Sequence, residues 1–152
     1  MIFHALLVLH IAVLGYWLGS ELVINSTYRY VSWSDSMSFA ERSRLMNQVM
    51  HADQHVRYAL LLQAGVGMAL AADVGYFPGG ETLAWIALAA MVAWLSLVEV
   101  THRRRNTLVG EQLAAVDRAL RYIGMLALVV AALGAWKHWP MFQSVPTWLA
   151  WK

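Results

Sequence analysis

The chain has 152 residues, of which 60% are apolar and only 13% charged. Mean hydropathy is +0.51, which excludes an ordinary soluble domain. There is no cysteine, so disulfides, thiolate metal sites and cysteine nucleophiles are excluded too.

Four apolar segments read as spanning helices, at about 2–24, 56–74, 83–101 and 119–136. Each is close to the roughly 20 residues that cross hydrocarbon. The first has no basic n-region and no small-residue cleavage site, so it reads as a retained helix rather than a signal peptide. The fold class expected is all-α: a single four-helix membrane domain over residues 1–152. A loop of about 30 residues is expected between helices one and two. Within it, Ser38-x-x-Glu41 resembles a capping box. Residues 39–50 are expected to form a surface helix carrying Leu45, Met46 and Val49.

Charge placement gives the orientation. Of 11 Lys and Arg, nine lie in or beside two loops: Arg29, Arg42, Arg44, Arg57, Arg103, Arg104, Arg105, Arg118 and Arg121. Those loops are expected on the cytoplasmic side, with both termini outside. The basic balance is then topology, not a nucleic-acid footprint. The localisation expected is a bacterial inner membrane, crossed several times. The tail at 137–152 carries Trp139, Trp148 and Trp151, just after Trp136, and reads as an interfacial anchor on the outer face.

Asp-x-x-x-Arg-Tyr occurs twice, at Asp53–Tyr58 and Asp117–Tyr122, each time running into a long apolar segment. Each follows an earlier helix with Trp-Leu and then a carboxylate: Trp17-Leu18 with Glu21, and Trp94-Leu95 with Glu99. The chain therefore reads as one two-helix unit written twice, about 2–74 and 83–136, in parallel repeats. Charges at the edge of hydrocarbon are costly unless paired. Matching depths gives Glu21–Arg57 and Glu99–Arg121 as the expected pairs, with Asp53 and Asp117 just outside. Such pairs either lock the hairpins or line a polar pocket. Two sheltered arginines suit an anionic group, such as a propionate or a lipid headgroup.

His10 lies about 12 Å inside helix one, on one face with Trp17 and Glu21. The residue expected opposite it on helix two is Met68. Imidazole with thioether can ligate haem iron or hold copper. A neutral histidine bonded to a hydroxyl or carbonyl is the alternative. His51 and His55 have metal-like i,i+4 spacing, yet they point away from Asp53 and read as a solvated surface pair. His102 shares the Glu99 face. Gly15-x-x-x-Gly19 fits close helix packing. Gly65 and Gly67 read as packing positions or as room for a flat ring.

Trp17-Leu18-Gly19-Ser20-Glu21-Leu22, the Arg-containing loop, Asp53-x-x-x-Arg57 and the Gly-bearing helix after it carry a resemblance. This pattern resembles a group of uncharacterised four-helix bacterial inner-membrane proteins. More distantly, it is similar to the copper-resistance D and HemJ-type protoporphyrinogen oxidase group, whose members carry an intramembrane histidine on helix one. The resemblance covers most of residues 4–73. It implies a haem- or copper-associated redox role, with His10 as the residue carried over. Val56 stands where the pattern has proline, Glu21 where it has aspartate, and helix three lacks the lysine of the HemJ-type pattern.

The function expected is a membrane redox module. It would hold haem b or a quinone inside the bundle, with His10 as axial ligand, Trp17 and Met68 beside it, and Arg57 and Arg121 at the anionic or polar end. The alternatives are a non-catalytic membrane anchor of a larger complex and a copper-handling protein. Expected partners are the bilayer, another membrane or cytoplasmic protein, or a second copy of the chain, but no nucleic acid.

Overall fold

The computed structural model describes residues 2–142 and 145–146. It is helical: α1 spans Ile2–Trp33, α2 Phe39–Asp73, α3 Gly80–Arg103 and α4 Leu108–Trp136, and Pro140–Phe142 forms a 3-10 turn. Trp148 and Trp151, and with them much of the expected anchor, lie outside the described residues.

Three helices are long and apolar enough to cross a membrane: α1 from Phe3, α3 and α4. On α4, Ile123, Leu126, Leu128 and Val129 all stand exposed, as an outer face against lipid requires. α2 is not among the three. It is the longest helix, at 35 residues, but its first half is polar, and Arg57, Gln63 and Asp73 interrupt the second.

The expected long loop between helices one and two is absent. α1 runs on to Trp33 and α2 starts at Phe39, leaving only residues 34–38 to turn the chain. The predicted capping box forms: Glu41 N–H donates to Ser38 Oγ at 3.3 Å, and Ser38 N–H to Glu41 Oε2 at 3.4 Å. Arg42 Nη2 donates to Ser34 O at 3.0 Å, a carbonyl just past the end of α1 that also accepts the Met37 N–H at 3.4 Å. The surface helix expected over 39–50 is therefore real, but it is the first part of α2. Hydropathy marks where apolar sequence ends, and the helices continue past that point. At about 1.5 Å per residue, α1 is about 48 Å long, well beyond a hydrocarbon core of about 30 Å.

The chain forms two compact units, Met1–Ala64 and Gly65–Lys152. The division falls inside α2, whereas the sequence repeat breaks at the loop after it. The first unit holds α1 and most of α2. The second holds the end of α2, then α3 and α4, which pack against each other. There, Gly65 lets α2 approach α3: an added Cβ would lie 2.5 Å from Met91 Cβ and 2.7 Å from its Sδ. So the space at Gly65 is filled by a side chain. Gly15 and Gly19, by contrast, meet nothing within 4 Å, and the close packing expected of them is not made among the described residues.

α2 ends in a Schellman motif. Gly75 takes φ 85°, Tyr76 N–H donates to Ala71 O and Gly75 N–H to Ala72 O, both at 3.0 Å. α4 ends the same way, but with His138 at φ 53° in the left-handed position. Trp139 N–H donates to Gly134 O at 2.9 Å, and the Phe142 ring folds back onto Gly134.

Candidate functional site

A hairpin turned at residues 34–38 fixes which residues of α1 and α2 are level. Counted outward from its middle, Tyr16 comes level with about residue 56 and His10 with about residue 62. The cross-helix bonds agree. Tyr16 Oη bonds His55 Nδ1, and His10 Nε2 bonds Gln63 Nε2 at 2.8 Å. Which partner donates depends on the imidazole tautomer and the amide orientation. The Tyr16 and His55 rings meet edge to face with centroids 5.9 Å apart, and Tyr58 lies edge-on to the same imidazole at 6.4 Å.

This register corrects two sequence expectations. Glu21 comes level with about residue 51, so Arg57 lies about 9 Å farther along the axis. The Glu21–Arg57 contact is not made. Arg57 binds Asp53 instead, through Nε at 2.9 Å and Nη2 at 2.8 Å. In the second hairpin, turned at 104–107, Glu99 and Arg121 are about 13 Å out of level. Glu99 pairs with Arg103 and Arg121 with Asp117. These three ion pairs each run along a helix at i,i+4, the spacing that puts two side chains on one face.

His55 is exposed, as expected of a surface residue, but it is not unused, because it bonds Tyr16 of α1. Met68 lies in the second unit and is 38% exposed. Among the described residues no three His, Cys, Asp or Glu side chains gather as a metal site. A haem fits this chain poorly. The Nε2 of His10 is engaged by Gln63, and the room expected at Gly65 is taken by Met91.

The repeated Trp, Asp and Arg are built differently in the two hairpins. In the second, Trp94 and Asp117 are level. Trp94 Nε1 donates to Asp117 Oδ1 at 2.8 Å, while Oδ2 of the same carboxylate holds Arg121 Nη2 at 2.9 Å. The Asp117 side chain is 8% exposed, and the Arg121 ion pair balances its charge where water is scarce, while Arg121 Nε and Nη2 are themselves buried without a hydrogen-bond partner. In the first hairpin, Asp53 and Arg57 are 43% and 44% exposed. Both Arg57 contacts fall on Oδ2 of Asp53. Trp17 Nε1 is buried and has no hydrogen-bond partner.

The sequence pointed to Trp17, Asp53, Arg57, Asp117 and Arg121. It missed Tyr16, His55 and Gln63, and it used Trp94 only to mark the repeat. Comparison with protein-family models, with curated proteins and with solved structures finds no match.

Proposed function

We propose that the chain is a redox subunit of the bacterial inner membrane that binds a quinone headgroup in its first helix hairpin. The observation that carries this is the Tyr16–His55 bond between α1 and α2. A phenol and an imidazole can each donate or accept, so together they can hold a ring oxygen and pass on its proton. The His10–Gln63 pair lies about two turns farther along the hairpin and offers a second set of such groups. The bound quinone would supply the two-electron chemistry. The protein's part is to orient the ring and to handle protons at Tyr16 Oη and the His55 imidazole.

In this account α2 spans the membrane with the other three helices, the two hairpins are parallel repeats, and the arginine-rich turns face the cytoplasm. The positive-inside distribution of Arg and Lys supports that orientation. The resemblance to the copper-resistance D and HemJ-type group agrees with a redox role. A partner protein docked at the basic turns would deliver or accept electrons.

The second reading is a non-catalytic anchor subunit. It is favoured by the pairs Arg57–Asp53, Arg103–Glu99 and Arg121–Asp117, each of which closes within a single helix without any ligand. One preparation separates the two. Protein purified in mild detergent from quinone-replete cells is extracted with solvent, and its quinone is quantified. A near-stoichiometric quinone that is lost in Tyr16→Phe and His55→Ala supports the redox subunit. A protein that carries no quinone and takes none up leaves the anchor.

A further inference from the structure

Near its turn the α1–α2 hairpin carries an open cleft of about 300 Å³, lined by Tyr30, Met37, Glu41, Arg44, Leu45 and Gln48. That volume is at the lower end of clefts that hold small ligands, roughly 300–1,000 Å³. The lining shares no residue with the Tyr16–His55 pair. Depth places the cleft at a membrane surface. The apolar run of α1 ends at Ile24, and counting from the middle of the turn puts Gln48 of α2 level with it. Arg44 then stands about 6 Å beyond the hydrocarbon edge, and Glu41 about 10 Å. The headgroup layer is about 5–8 Å thick on each side of the bilayer. Arg44 therefore falls inside that layer and Glu41 at its outer limit. Tyr28, Tyr30 and Trp33 stand exposed at the same end of the hairpin, as aromatics do at the interface. Glu41 and Arg44 are near enough along α2 to pair, yet no ion pair joins them. Ser38 holds only Oε2 of the carboxylate, through its Oγ–H at 3.0 Å and its N–H at 3.4 Å. The cleft thus has a cation toward the hydrocarbon and an anion toward the water.

We propose that this cleft binds one phospholipid headgroup and selects the kind that ends in a primary ammonium, as in phosphatidylethanolamine. In such a lipid the phosphate lies next to the hydrocarbon and the ammonium two carbons farther out, the same order as Arg44 and Glu41. Arg44 donates to the phosphate. Glu41 Oε1 accepts from the ammonium, and Met37 and Leu45 give an apolar wall to the carbons between. A trimethylated ammonium has no N–H to give Glu41, and a glycerol headgroup has no cation. One acid and one base in the lining sum to zero, which suits a zwitterionic lipid better than an anionic one. The proposal does not depend on the quinone. It rests on α1 crossing the bilayer with this turn at the membrane surface.

The test titrates the full chain in mild detergent with short-chain phosphatidylethanolamine, phosphatidylcholine and phosphatidylglycerol, and counts bound lipid by native mass spectrometry. The wild type should bind the ethanolamine lipid about tenfold tighter than either of the others, the equivalent of one charge-assisted hydrogen bond. Glu41→Gln keeps a side chain that can complete the capping box, and should bring the ethanolamine and choline lipids to about equal affinity. Arg44→Gln should weaken both alike, and Arg118→Gln, on α4, should change neither. Equal binding of the two by the wild type, or a preference that survives Glu41→Gln, overturns the proposal. Tightest binding of the glycerol lipid overturns it too, because basic charge alone would then be drawing lipid. Free phosphoethanolamine binding as tightly as the lipid would make this a site for a soluble ligand and overturn the lipid assignment. Binding of none of the three lipids overturns it as well and leaves the cleft to a cytoplasmic partner.

Discussion

Trp94 donates its indole N–H to Asp117 across the second hairpin at 2.8 Å. That bond joins the helices at the level of a buried carboxylate, and Arg121 balances its charge from one turn farther along α4. The first hairpin holds the same residue types, with the same Asp-x-x-x-Arg spacing, but its tryptophan N–H has no hydrogen-bond partner. Most of what can be tested about this molecule follows from that difference.

Removing the second carboxylate should hurt more than removing the first. Asp117→Ala strands a part-buried guanidinium and an indole N–H together, and should cost about 2–4 kcal/mol. Asp53→Ala removes a half-exposed pair and should cost less than about 1 kcal/mol. Asp117→Ala with Arg121→Ala should cost less than Asp117→Ala alone, because no charge is left behind. Thermal melting in detergent compares them, and equal losses at the two aspartates would contradict the difference in burial between the two pairs.

The hairpin register can be read by cross-linking, since the chain has no cysteine to interfere. A short bifunctional thiol reagent should join Tyr16→Cys to His55→Cys in native membranes. It should fail to join Glu21→Cys to Arg57→Cys. The reverse pattern would restore the depth matching expected from hydropathy and remove the Tyr16–His55 site.

Gly65 should not tolerate a side chain. A Cβ there would crowd Met91 at its own Cβ as well as at its flexible end. Gly65→Ala should therefore destabilise by roughly 1–3 kcal/mol, and Met91→Ala should recover much of the loss. An unchanged melting temperature in Gly65→Ala would mean that α2 and α3 are not in close contact there.

His138 is the one non-glycine residue among those described that takes positive φ. A left-handed conformation costs an ordinary residue about 1–2 kcal/mol. His138→Gly should raise stability by about 1 kcal/mol if the Schellman turn and the fold of Phe142 onto Gly134 persist. A loss on substitution would show that the imidazole makes a contact worth more than the strain.

Sequence carried the class and the local chemistry well. Hydropathy identified the helical membrane character, Ser38 and Glu41 form the capping box they spell, and the Asp-x-x-x-Arg spacing forms both ion pairs. What it could not carry was depth. The polar stretch 25–55 reads as a loop because apolar character stops there, yet α1 and α2 run through nearly all of it. Matching depth from the edge of the apolar segments therefore misplaced Glu21 against Arg57. Matching from the 34–38 turn would have put Tyr16 beside His55. One clue to unequal repeats was visible: four residues separate Trp17 from Glu21, but five separate Trp94 from Glu99.

The most direct measurement of the central claim is the binding of a decyl-benzoquinone to the full chain in lipid nanodiscs, with the wild type beside Tyr16→Phe and His55→Ala. The wild type should bind the quinone, and each substitution should weaken binding about tenfold, the equivalent of one lost hydrogen bond. A wild type that binds no quinone, or binding unchanged in both variants, would contradict the account.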